Sequence, residues 1–400
     1  MKHYSAKALQ KRNPLGCARG ERSLVAKTLP PATAHVHSHV KFVLVFLVAV
    51  GAYAVADNQP QPRPLVPGNR VQTDSPASSR QHSGNIPPAS GASADEPGGV
   101  SPEGKAYLQR LEKNIPFGTA GFDLKGLRAG MGARREPTIK DVRLIRSTIG
   151  EIPCEWVLAP GADPDVRLLY LHGGGWVSGS GGNYLPLAAD ISVAARCAVL
   201  LPDYRLAPEH PFPAGLEDCI AAHDWLVANG PSGPRPATAT FIAGDSAGGN
   251  LTLATLLALR DRKRPLPAGG IALSAATDFT LASESLKTVH DPIISARTMP
   301  EFRDRYLKMT DPRNPLASPV FGDYRGIPPL LIQVGEHEML RDDSVRVVQK
   351  ALADGIPVKF EVWPGMVHVF QIRGLPESRA AIAQIAEFMR SELNTTGARF

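Results

Sequence analysis

The chain has 400 residues, which is enough for one large domain or for two modest ones. Hydrophobic residues make up 43% of it and charged residues 20%, which excludes a wholly disordered chain and a protein of many membrane spans. The formal net charge is +6, but residues 1–56 hold eight basic side chains and one acidic one, which leaves −1 for residues 57–400. The basic excess therefore belongs to the N-terminal segment and gives no argument for nucleic-acid binding.

A long apolar run spans residues 42–56, and its 15 residues are fewer than the about 20 that a membrane span needs. A run of this length is typical of a secretory signal peptide, and Ala54 and Ala56 form an A-x-A cleavage motif ahead of Asp57. We therefore expect a leader with a signal peptide in residues 1–56 and an exported protein, periplasmic or secreted. Two alternatives stay open: an uncleaved signal-anchor that holds the protein in a membrane, and a mitochondrial transit peptide.

The 41 residues that precede this run exceed the length of an ordinary signal-peptide n-region. A translation start at Val40 would give a short basic n-region that contains Lys41, so we expect residues 1–39 not to belong to the native protein. Residues 57–100 are rich in Pro, Ser, Gly, Gln and Asn and have almost no large apolar residue. Such a segment cannot bury enough surface to offset its ordering entropy, which predicts a disordered linker.

From residue 101 onward, short apolar runs alternate with longer amphipathic segments. The predicted strands, in chain order, are Arg167–Leu171, Ala198–Leu201, Thr240–Ala243, Gly270–Ser274, Leu330–Val334 and Val358–Trp363. The predicted helices are Leu185–Ala195, Ala214–Ala228, Ala247–Arg260, Asp342–Ala353 and Ser378–Glu392. This alternation predicts one α/β domain over residues 101–400, with a mostly parallel sheet covered on both faces. Residues 101–150 and part of 280–325 are expected to fold over one end of the sheet as a cap.

A GxSxG motif, Gly244-Asp245-Ser246-Ala247-Gly248, lies between a predicted strand and a predicted helix. Small residues at both ends of the motif permit a turn so tight that the serine projects at the start of the helix, as in a nucleophile elbow. The alternative is an ordinary glycine-rich turn, and the strand-turn-helix context favours the elbow. Ser246 is therefore the predicted nucleophile.

A serine hydroxyl needs an adjacent base to be nucleophilic at neutral pH. His368 lies in a loop just after the last predicted strand, a position from which it reaches the sheet edge expected for Ser246. The acid that orients this base should follow the strand Leu330–Val334, where the candidates are Glu336, Glu338, Asp342 and Asp343. A helix N-terminus explains both aspartates, because carboxylates are favourable there. Glu338 has no such explanation, so it is the predicted acid and Asp342 the fallback.

Three consecutive glycines follow another predicted strand, within the segment His172–Trp176. Backbone N–H groups of such a loop can point into a site and stabilise the oxyanion that forms during acyl transfer. We expect Gly173, Gly174 and Gly175 to form an oxyanion hole together with Ala247, the residue after the nucleophile. A phosphate-binding loop is a weaker interpretation, because no lysine or GxGxxG pattern accompanies these glycines.

The four cysteines, at positions 17, 154, 197 and 219, are too few and too scattered for a disulfide framework or a zinc site. We expect most of them to be ordinary buried thiols. A disulfide bond between two of the cysteines remains an alternative.

In their order and spacing these motifs resemble the hormone-sensitive lipase-like family of α/β-hydrolases, the capped bacterial serine esterases. The resemblance covers residues 101–395, roughly, and rests on His172–Trp176, on residues 203–214 and on Gly244–Gly249. It implies an α/β-hydrolase fold with an N-terminal helical cap, no metal and no cofactor. It also implies the site already described, with His172 and Asp245 in supporting positions and a purely structural role for residues 204–210.

The acid position departs from the family pattern. After the penultimate strand the family reads Asp-Pro-Leu-x-Asp, with the first Asp as the triad acid, whereas this chain reads Glu338-Met339-Leu340-Arg341-Asp342. The separation of 30 positions from Glu338 to His368 fits the family spacing, and glutamate is an accepted triad acid in this fold. The resemblance therefore also indicates Glu338.

These observations predict a serine carboxylester hydrolase that acts through an acyl-enzyme on short-chain, acetyl or aryl esters. The alternatives are a lactone hydrolase, a membrane-anchored binding module, and a ligand-binding protein on the same scaffold, like the plant gibberellin receptors, which lack the catalytic histidine. The presence of both Ser246 and His368 argues against the loss of catalysis. The expected partner is a small-molecule ester and not a nucleic acid, with membrane contact only if residues 42–56 stay uncleaved. A homodimer stays open.

Overall fold

The computed structural model describes residues 99–396. The predicted leader, its cleavage site before Asp57 and nearly all of the predicted linker lie outside the described residues. Within residues 99–396, no helix is both long enough and apolar enough to cross a membrane.

Eight strands form the central sheet. They are β1 (Arg143–Ile149), β2 (Ile152–Leu158), β3 (Asp163–Leu171), β4 (Cys197–Pro202), β5 (Ala239–Asp245), β6 (Gly269–Leu273), β7 (Leu330–Gly335) and β8 (Val358–Trp363). Their order across the sheet is β1-β2-β4-β3-β5-β6-β7-β8. Strand β2 pairs antiparallel with β1 and β4, and all the other pairs are parallel. The carboxyl ends of β3 and β5 to β8 therefore meet at one edge, which is where open α/β sheets bind their ligands.

The α-helices of the described residues cover both faces of this sheet and one of its edges. They are α1 (Pro102–Leu111), α2 (Leu124–Met131), α3 (Leu185–Ala195), α4 (Ala214–Ala228), α5 (Ala247–Asp261), α6 (Ser285–Thr288), α7 (Met299–Leu307), α8 (Arg341–Ala353) and α9 (Pro376–Thr396). Five of them match the five predicted helices, and α3 and α4 have the predicted bounds. The predicted fold class, an α/β-hydrolase fold with a mostly parallel sheet, is confirmed.

Alternate side chains of the central strands enter two different cores, because successive side chains of a strand point to opposite faces. Phe241 and Ala243 of β5 pack in the core that contains residues of α3 and α9. Ile242, between them, packs in the core that contains residues of α4, α5 and α8. Strands buried on both faces are continuous apolar runs, which is why the sequence predicted β3 to β8 well.

The first two strands were not predicted, and the range 101–150 expected for the cap is wrong at its C-terminal end, because residues 143–149 form β1 of the sheet. Strand β1 is an edge strand with mostly exposed or half-buried side chains, including Arg143 and Arg146, so it lacks a continuous apolar run. Strand β2 contains Pro153 and Glu155, which weaken its strand pattern.

The cap joins two stretches of chain that are far apart in the sequence. The N–H of Phe117 donates to the carbonyl of Ile293, and the N–H of Ser295 donates to the carbonyl of Phe117, both at 2.9 Å. The rings of Phe117 and Phe122 pack on Phe302 of α7, with centroids 6.3 Å and 5.1 Å away. Residues 102–131 and residues 285–307 thus pack together beside the carboxyl ends of the strands, where they line the cavity described below.

Candidate active site

Ser246 lies in a strained turn between β5 and α5, with φ 54° and ψ −117°. The neighbouring glycines have no room for a side chain. A Cβ atom on Gly248 would lie 1.9 Å from the carbonyl oxygen of Leu171, and one on Gly244 would lie 2.4 Å from the carbonyl oxygen of Gly248. The turn therefore requires glycine at both positions, and it leaves Ser246 half-buried at the wall of a cavity.

A continuous chain of hydrogen bonds joins Ser246, His368 and Glu338. The Ser246 Oγ lies 3.1 Å from His368 Nε2, and His368 Nδ1 lies 2.7 Å from Glu338 Oε2. Because a carboxylate can only accept, Nδ1 donates to it and Nε2 is left to accept the serine proton. The second carboxylate oxygen, Oε1, accepts the N–H of Gly335 at 2.7 Å, which fixes the orientation of Glu338.

The environment of His368 favours its protonated form. Burial opposes protonation, but the hydrogen bond and the charge of Glu338, with the charges of Asp291 and Asp245, outweigh it and raise the pKa of His368 above its ordinary value. Glu338 is fully buried and His368 is 3% exposed. A base of raised pKa, shielded from water, is suited to accept the serine proton.

The fallback acid, Asp342, does not contact His368. Its Oδ2 accepts the N–H of Ser285 at 2.9 Å, and its own N–H donates to the hydroxyl oxygen of Ser285 at 3.0 Å. Asp342 lies in the first turn of α8, as the sequence indicated, and it connects this helix to the insertion after β6. The structure thus brings Glu338, and not Asp342, to the histidine.

Gly173 was expected in the oxyanion hole, and here the expectation is wrong. Its N–H donates to Asp245 Oδ1 at 3.2 Å and to the Tyr184 hydroxyl at 3.1 Å, and Gly173 does not line the cavity that contains Ser246. Gly174 and Gly175 line the cavity with φ of 123° and 63°, values that favour glycine. Ala247 is the first residue of α5, so its N–H has no acceptor within the helix.

Asp245 and His172 lie beneath the glycine loop and hold it in place. The buried carboxylate of Asp245 accepts the hydroxyls of Tyr170 at 3.0 Å and Tyr184 at 2.9 Å. Burial raises the pKa of Asp245 to about 6, although these hydroxyls oppose the shift. The ring of His172 stacks on Tyr204 with centroids 4.2 Å apart, and the Tyr204 hydroxyl donates to the His172 carbonyl. Both residues therefore support the loop from below.

Asp291 is a site residue that the sequence did not reveal. It is 4% exposed, its Oδ1 accepts the N–H groups of Ile293 and Ile294, and its Oδ2 accepts the N–H of Met339. Its charge also contributes to the raised pKa of His368. An aspartate followed by proline signals a turn, but nothing local shows that this turn packs against the loop of Glu338.

A cavity of about 300 Å³ opens on Ser246 and His368. Its lining includes apolar residues of the cap, namely Phe117, Leu127, Met131, Ile294, Met299 and Phe302. It also includes polar residues, namely Asn183, Arg134, Arg135 and Arg373. Pockets for small molecules have this composition, mostly apolar with a few placed polar groups.

The cysteines and acidic residues of the described part form no further site. Cys154, Cys197 and Cys219 are free, buried thiols, as expected for most of the cysteines. Within residues 99–396, no cluster of three His, Cys, Asp or Glu side chains has the arrangement of a metal site.

Comparison with known proteins gives a consistent result. Residues 168–372 match a family model described as the alpha/beta hydrolase fold. An acetyl-hydrolase of Streptomyces hygroscopicus is 42% identical over 248 residues, which cover 61% of this chain and 81% of the relative. An esterase of Acinetobacter venetianus is 37% identical over 231 residues, which cover 56% of this chain and 74% of the relative.

Solved structures agree with these relatives. The crystal structure of an esterase from the bacterial hormone-sensitive lipase family has a TM-score of 0.66 and 39% identity, and the match covers 74% of this chain and 99% of that one. EstE5, whose crystal was soaked with p-nitrophenyl butyrate, has a TM-score of 0.67 and 40% identity, over 73% of this chain and 99% of its own.

The fold and the site define a serine hydrolase. The chain belongs to the α/β-hydrolase family, in its hormone-sensitive lipase-like group. It is a serine carboxylester hydrolase.

Proposed function

We propose that this hydrolase cleaves small-molecule esters with short acyl chains, including acetyl and aryl esters, through an acyl-enzyme on Ser246. The observation that supports the proposal is the unbroken chain of hydrogen bonds from Ser246 through His368 to Glu338, at the wall of a cavity. A nucleophile, a base and an orienting acid in this arrangement are what acyl transfer requires.

In the first half of the reaction, the Ser246 Oγ attacks the ester carbonyl carbon and its proton moves to His368 Nε2. The carbonyl oxygen becomes an oxyanion, and the N–H groups of Gly174, Gly175 and Ala247 stabilise it. The C–O bond to the alcohol then breaks, and the imidazolium returns the proton to the leaving alcohol oxygen. The acyl group remains on Ser246.

In the second half, water replaces the alcohol. His368 accepts a proton from this water, whose oxygen attacks the acyl carbon, and the collapse of the second tetrahedral intermediate returns the proton to Ser246. Glu338 keeps Nδ1 protonated and stabilises the positive imidazole in both halves, without being protonated itself. A ligand-binding protein would not need this intact proton path, so the geometry favours catalysis.

The size of the cavity supports short acyl chains. A volume of about 300 Å³ lies at the lower end of the range for small-molecule pockets, about 300–1,000 Å³. Phe302 limits the cavity beside the oxyanion loop, because a Cβ atom on Gly175 would lie 2.3 Å from its ring. The names of two relatives, an acetyl-hydrolase and a structure soaked with a butyrate ester, agree with a small acyl group.

The test uses p-nitrophenyl esters from acetate to dodecanoate with the purified chain. We expect kcat/KM to be highest at four carbons or fewer and to fall steadily as the acyl chain outgrows the cavity. A maximum at ten or twelve carbons would contradict the proposal for the acyl group. Absence of turnover on every ester, by protein that unfolds cooperatively on heating, would contradict the catalytic assignment itself.

We also propose that the protein is exported and that its mature chain begins near Asp57. The support is the sequence alone, namely the 15-residue apolar run and the A-x-A motif of Ala54 and Ala56. N-terminal sequencing of protein from the culture medium, the periplasm and the membrane fraction tests this. Protein in the cytoplasm that still has residues 42–56 would exclude export, and full-length protein in the membrane fraction would indicate an anchor.

A further inference from the structure

Arg135 and Arg373 lie in the lining of the cavity that contains Ser246 and His368. Arg135 belongs to the segment between α2 and β1, and its N–H donates to the carbonyl of Gly182 at 2.9 Å. Arg373 ends the short 3-10 helix Phe370–Arg373, which begins two residues after His368. Two separate segments thus each contribute an arginine to the lining of the same cavity.

Neither guanidinium has an acidic partner in the described part of the chain. Their neighbour Arg134, which also lines the cavity, donates to Glu155 at 2.7 Å and to Glu136 at 2.8 Å. Arg135 and Arg373 form no such ion pair within residues 99–396. The Arg373 Nε is buried and makes no hydrogen bond there. Most buried polar atoms have a partner, so an unpaired guanidinium donor on a residue that lines the cavity favours an anionic ligand there.

The two arginines also repel each other. Burial lowers the pKa of Arg135, and the nearby charge of Arg373 lowers it further. An arginine nevertheless stays protonated at any physiological pH. Two half-buried positive charges without a counterion are unfavourable, and an anion between them would relieve both the desolvation and the repulsion.

We propose that Arg135 and Arg373 bind a carboxylate group of the ester substrate and so give the enzyme a preference for anionic esters. The proposal rests on the proposed function, because it assigns a part of the same substrate. Guanidinium groups suit this task because their planar donors match the two oxygens of a carboxylate. The apolar cap residues that line the same cavity would hold the uncharged part of the molecule.

This contact does not involve the bond that breaks, so it stabilises the bound substrate and the transition state alike. Its loss should raise KM and leave kcat nearly unchanged. Hydrogen bonds to charged groups typically correspond to about a 10- to 100-fold change in affinity. We expect a change of this size in KM for anionic esters on removal of either arginine.

The experiment compares esters that differ in one charge. One pair, 4-acetoxybenzoate and 4-acetoxybenzamide, has the charge on the alcohol half. The other pair, monomethyl succinate and methyl succinamate, has it on the acyl half. The variants are Arg135→Met, Arg373→Met and the charge-conserving Arg373→Lys. Arg313→Met is the matched control, because Arg313 is exposed and does not line the cavity.

We expect the wild type to prefer the anionic member of at least one pair by tenfold or more in kcat/KM. The methionine variants should lose this preference because their KM for the anionic ester rises. Arg373→Lys should retain part of the preference, and Arg313→Met should retain all of it. Arg313→Met should hydrolyse all four esters within about threefold of wild type, whereas the methionine variants should lose more kcat/KM on the anionic member of a pair than on the neutral one. Binding of 4-acetoxybenzoate to Ser246→Ala by calorimetry, with and without Arg373→Met, provides a readout that does not require turnover.

Equal rates for both members of both pairs in the wild type would overturn the proposal, and so would a preference that survives both methionine variants. Hydrolysis of the neutral esters separates this failure from failure of the proposed function. If folded protein hydrolyses none of the four esters, the proposed function is wrong, and the proposed carboxylate-binding site is then wrong as well. Melting temperatures near wild type exclude misfolding as the cause of a lost preference.

Discussion

The catalytic centre and the cap differ in how strictly the structure dictates their residues. At the centre, an added Cβ on Gly248 would lie 1.9 Å from the Leu171 carbonyl oxygen, and the backbone could not give way. In the cap, a Cβ on Gly130 of α2 would meet no atom within 4 Å. The turn at the centre therefore accepts only glycine at such positions, whereas Gly130 in the cap can be replaced without a clash.

The two regions also differ in the forces that stabilise them. The centre depends on directed hydrogen bonds, such as those of Glu338 to Gly335 and His368, with geometry that another side chain cannot reproduce. The cap depends largely on packing of aromatic rings, such as Phe122 on Phe302. Packing is nondirectional and tolerates substitution. Changes at the centre should therefore abolish chemistry, and changes in the cap should alter which ester is accepted.

The largest effect should follow Ser246→Ala. Removal of the nucleophile leaves His368 and Glu338 with no group to activate, and we expect turnover to fall by about 10⁶-fold. The elbow accepts a small side chain, so the fold should persist. The measurement is kcat on p-nitrophenyl acetate, with circular dichroism and thermal melting of the same preparation.

Ser391→Ala, on an exposed position of α9, is the matched control and should be fully active. Activity of Ser246→Ala within tenfold of wild type would show that the centre does not work through this serine. The expectation that changes at the centre abolish the reaction, while changes in the cap alter the substrate preference, would then be wrong.

The second effect, about 10³–10⁴-fold in kcat, should follow Glu338→Gln. An amide cannot hold the imidazole in the tautomer that leaves Nε2 free to accept the serine proton. Asp342→Asn should instead leave kcat near wild type and lower the free energy of unfolding by about 1 kcal/mol, through weaker contacts at the helix start.

Glu336→Gln serves as a control in the same loop, because its carboxylate accepts the N–H of Gly365 at 2.8 Å and does not contact His368. It should retain activity within a few fold. A nearly active Glu338→Gln beside an inactive Asp342→Asn would reverse the assignment of the acid.

Much of the centre could be predicted from the sequence, for a physical reason. Ser246 and Gly174 stand in short motifs because a tight turn or an exposed N–H needs particular residues at fixed local spacing. Glu338 and His368 could be predicted by their position after two buried strands, since the carboxyl ends of parallel strands meet at one edge. The order of these elements narrowed the acid to four residues, and the helix start at Asp342 and the family spacing to His368 then indicated Glu338.

The remainder depends on contacts between distant segments, which no local pattern records. The N–H of Gly173 turns to Asp245, 72 residues away in the chain, and so leaves the oxyanion hole. Asp291 reaches Met339 across 48 residues, and Arg135 approaches Arg373 from a separate segment. Strand β1 was missed because its edge position does not require an apolar run. These features become visible only in three dimensions.

The third effect is a shift in the pH dependence of kcat/KM. Catalysis needs neutral His368, and Glu338 holds the pKa of this histidine above its ordinary value, about 6.5. Acidification should therefore reduce kcat/KM of the wild type already above pH 6.5. In Glu338→Gln the charge is gone, so the residual activity should persist to lower pH. Profiles of kcat/KM from pH 5 to 9 on a neutral ester test this, and an acid limb that does not move, or moves upward, would contradict it.

The smallest effect should come from the cap, and it is a change of preference. Phe302 is 5% exposed and its ring lies against Gly175, so Phe302→Ala should open the cavity beside the oxyanion loop. Each additional buried methylene contributes about 0.8 kcal/mol, so two more of them should raise kcat/KM for octanoate relative to butyrate by about tenfold. Loss of a buried ring should also lower the free energy of unfolding by about 3 kcal/mol.

Phe321→Ala is the matched control, because Phe321 is 38% exposed and does not line the cavity. If Phe302→Ala lowers kcat equally on all esters, Phe302 supports the catalytic centre and does not select the substrate. If the preferred acyl-chain length shifts while turnover of acetate is preserved, the cap determines which ester is accepted, and the catalytic residues at the edge of the sheet perform the reaction.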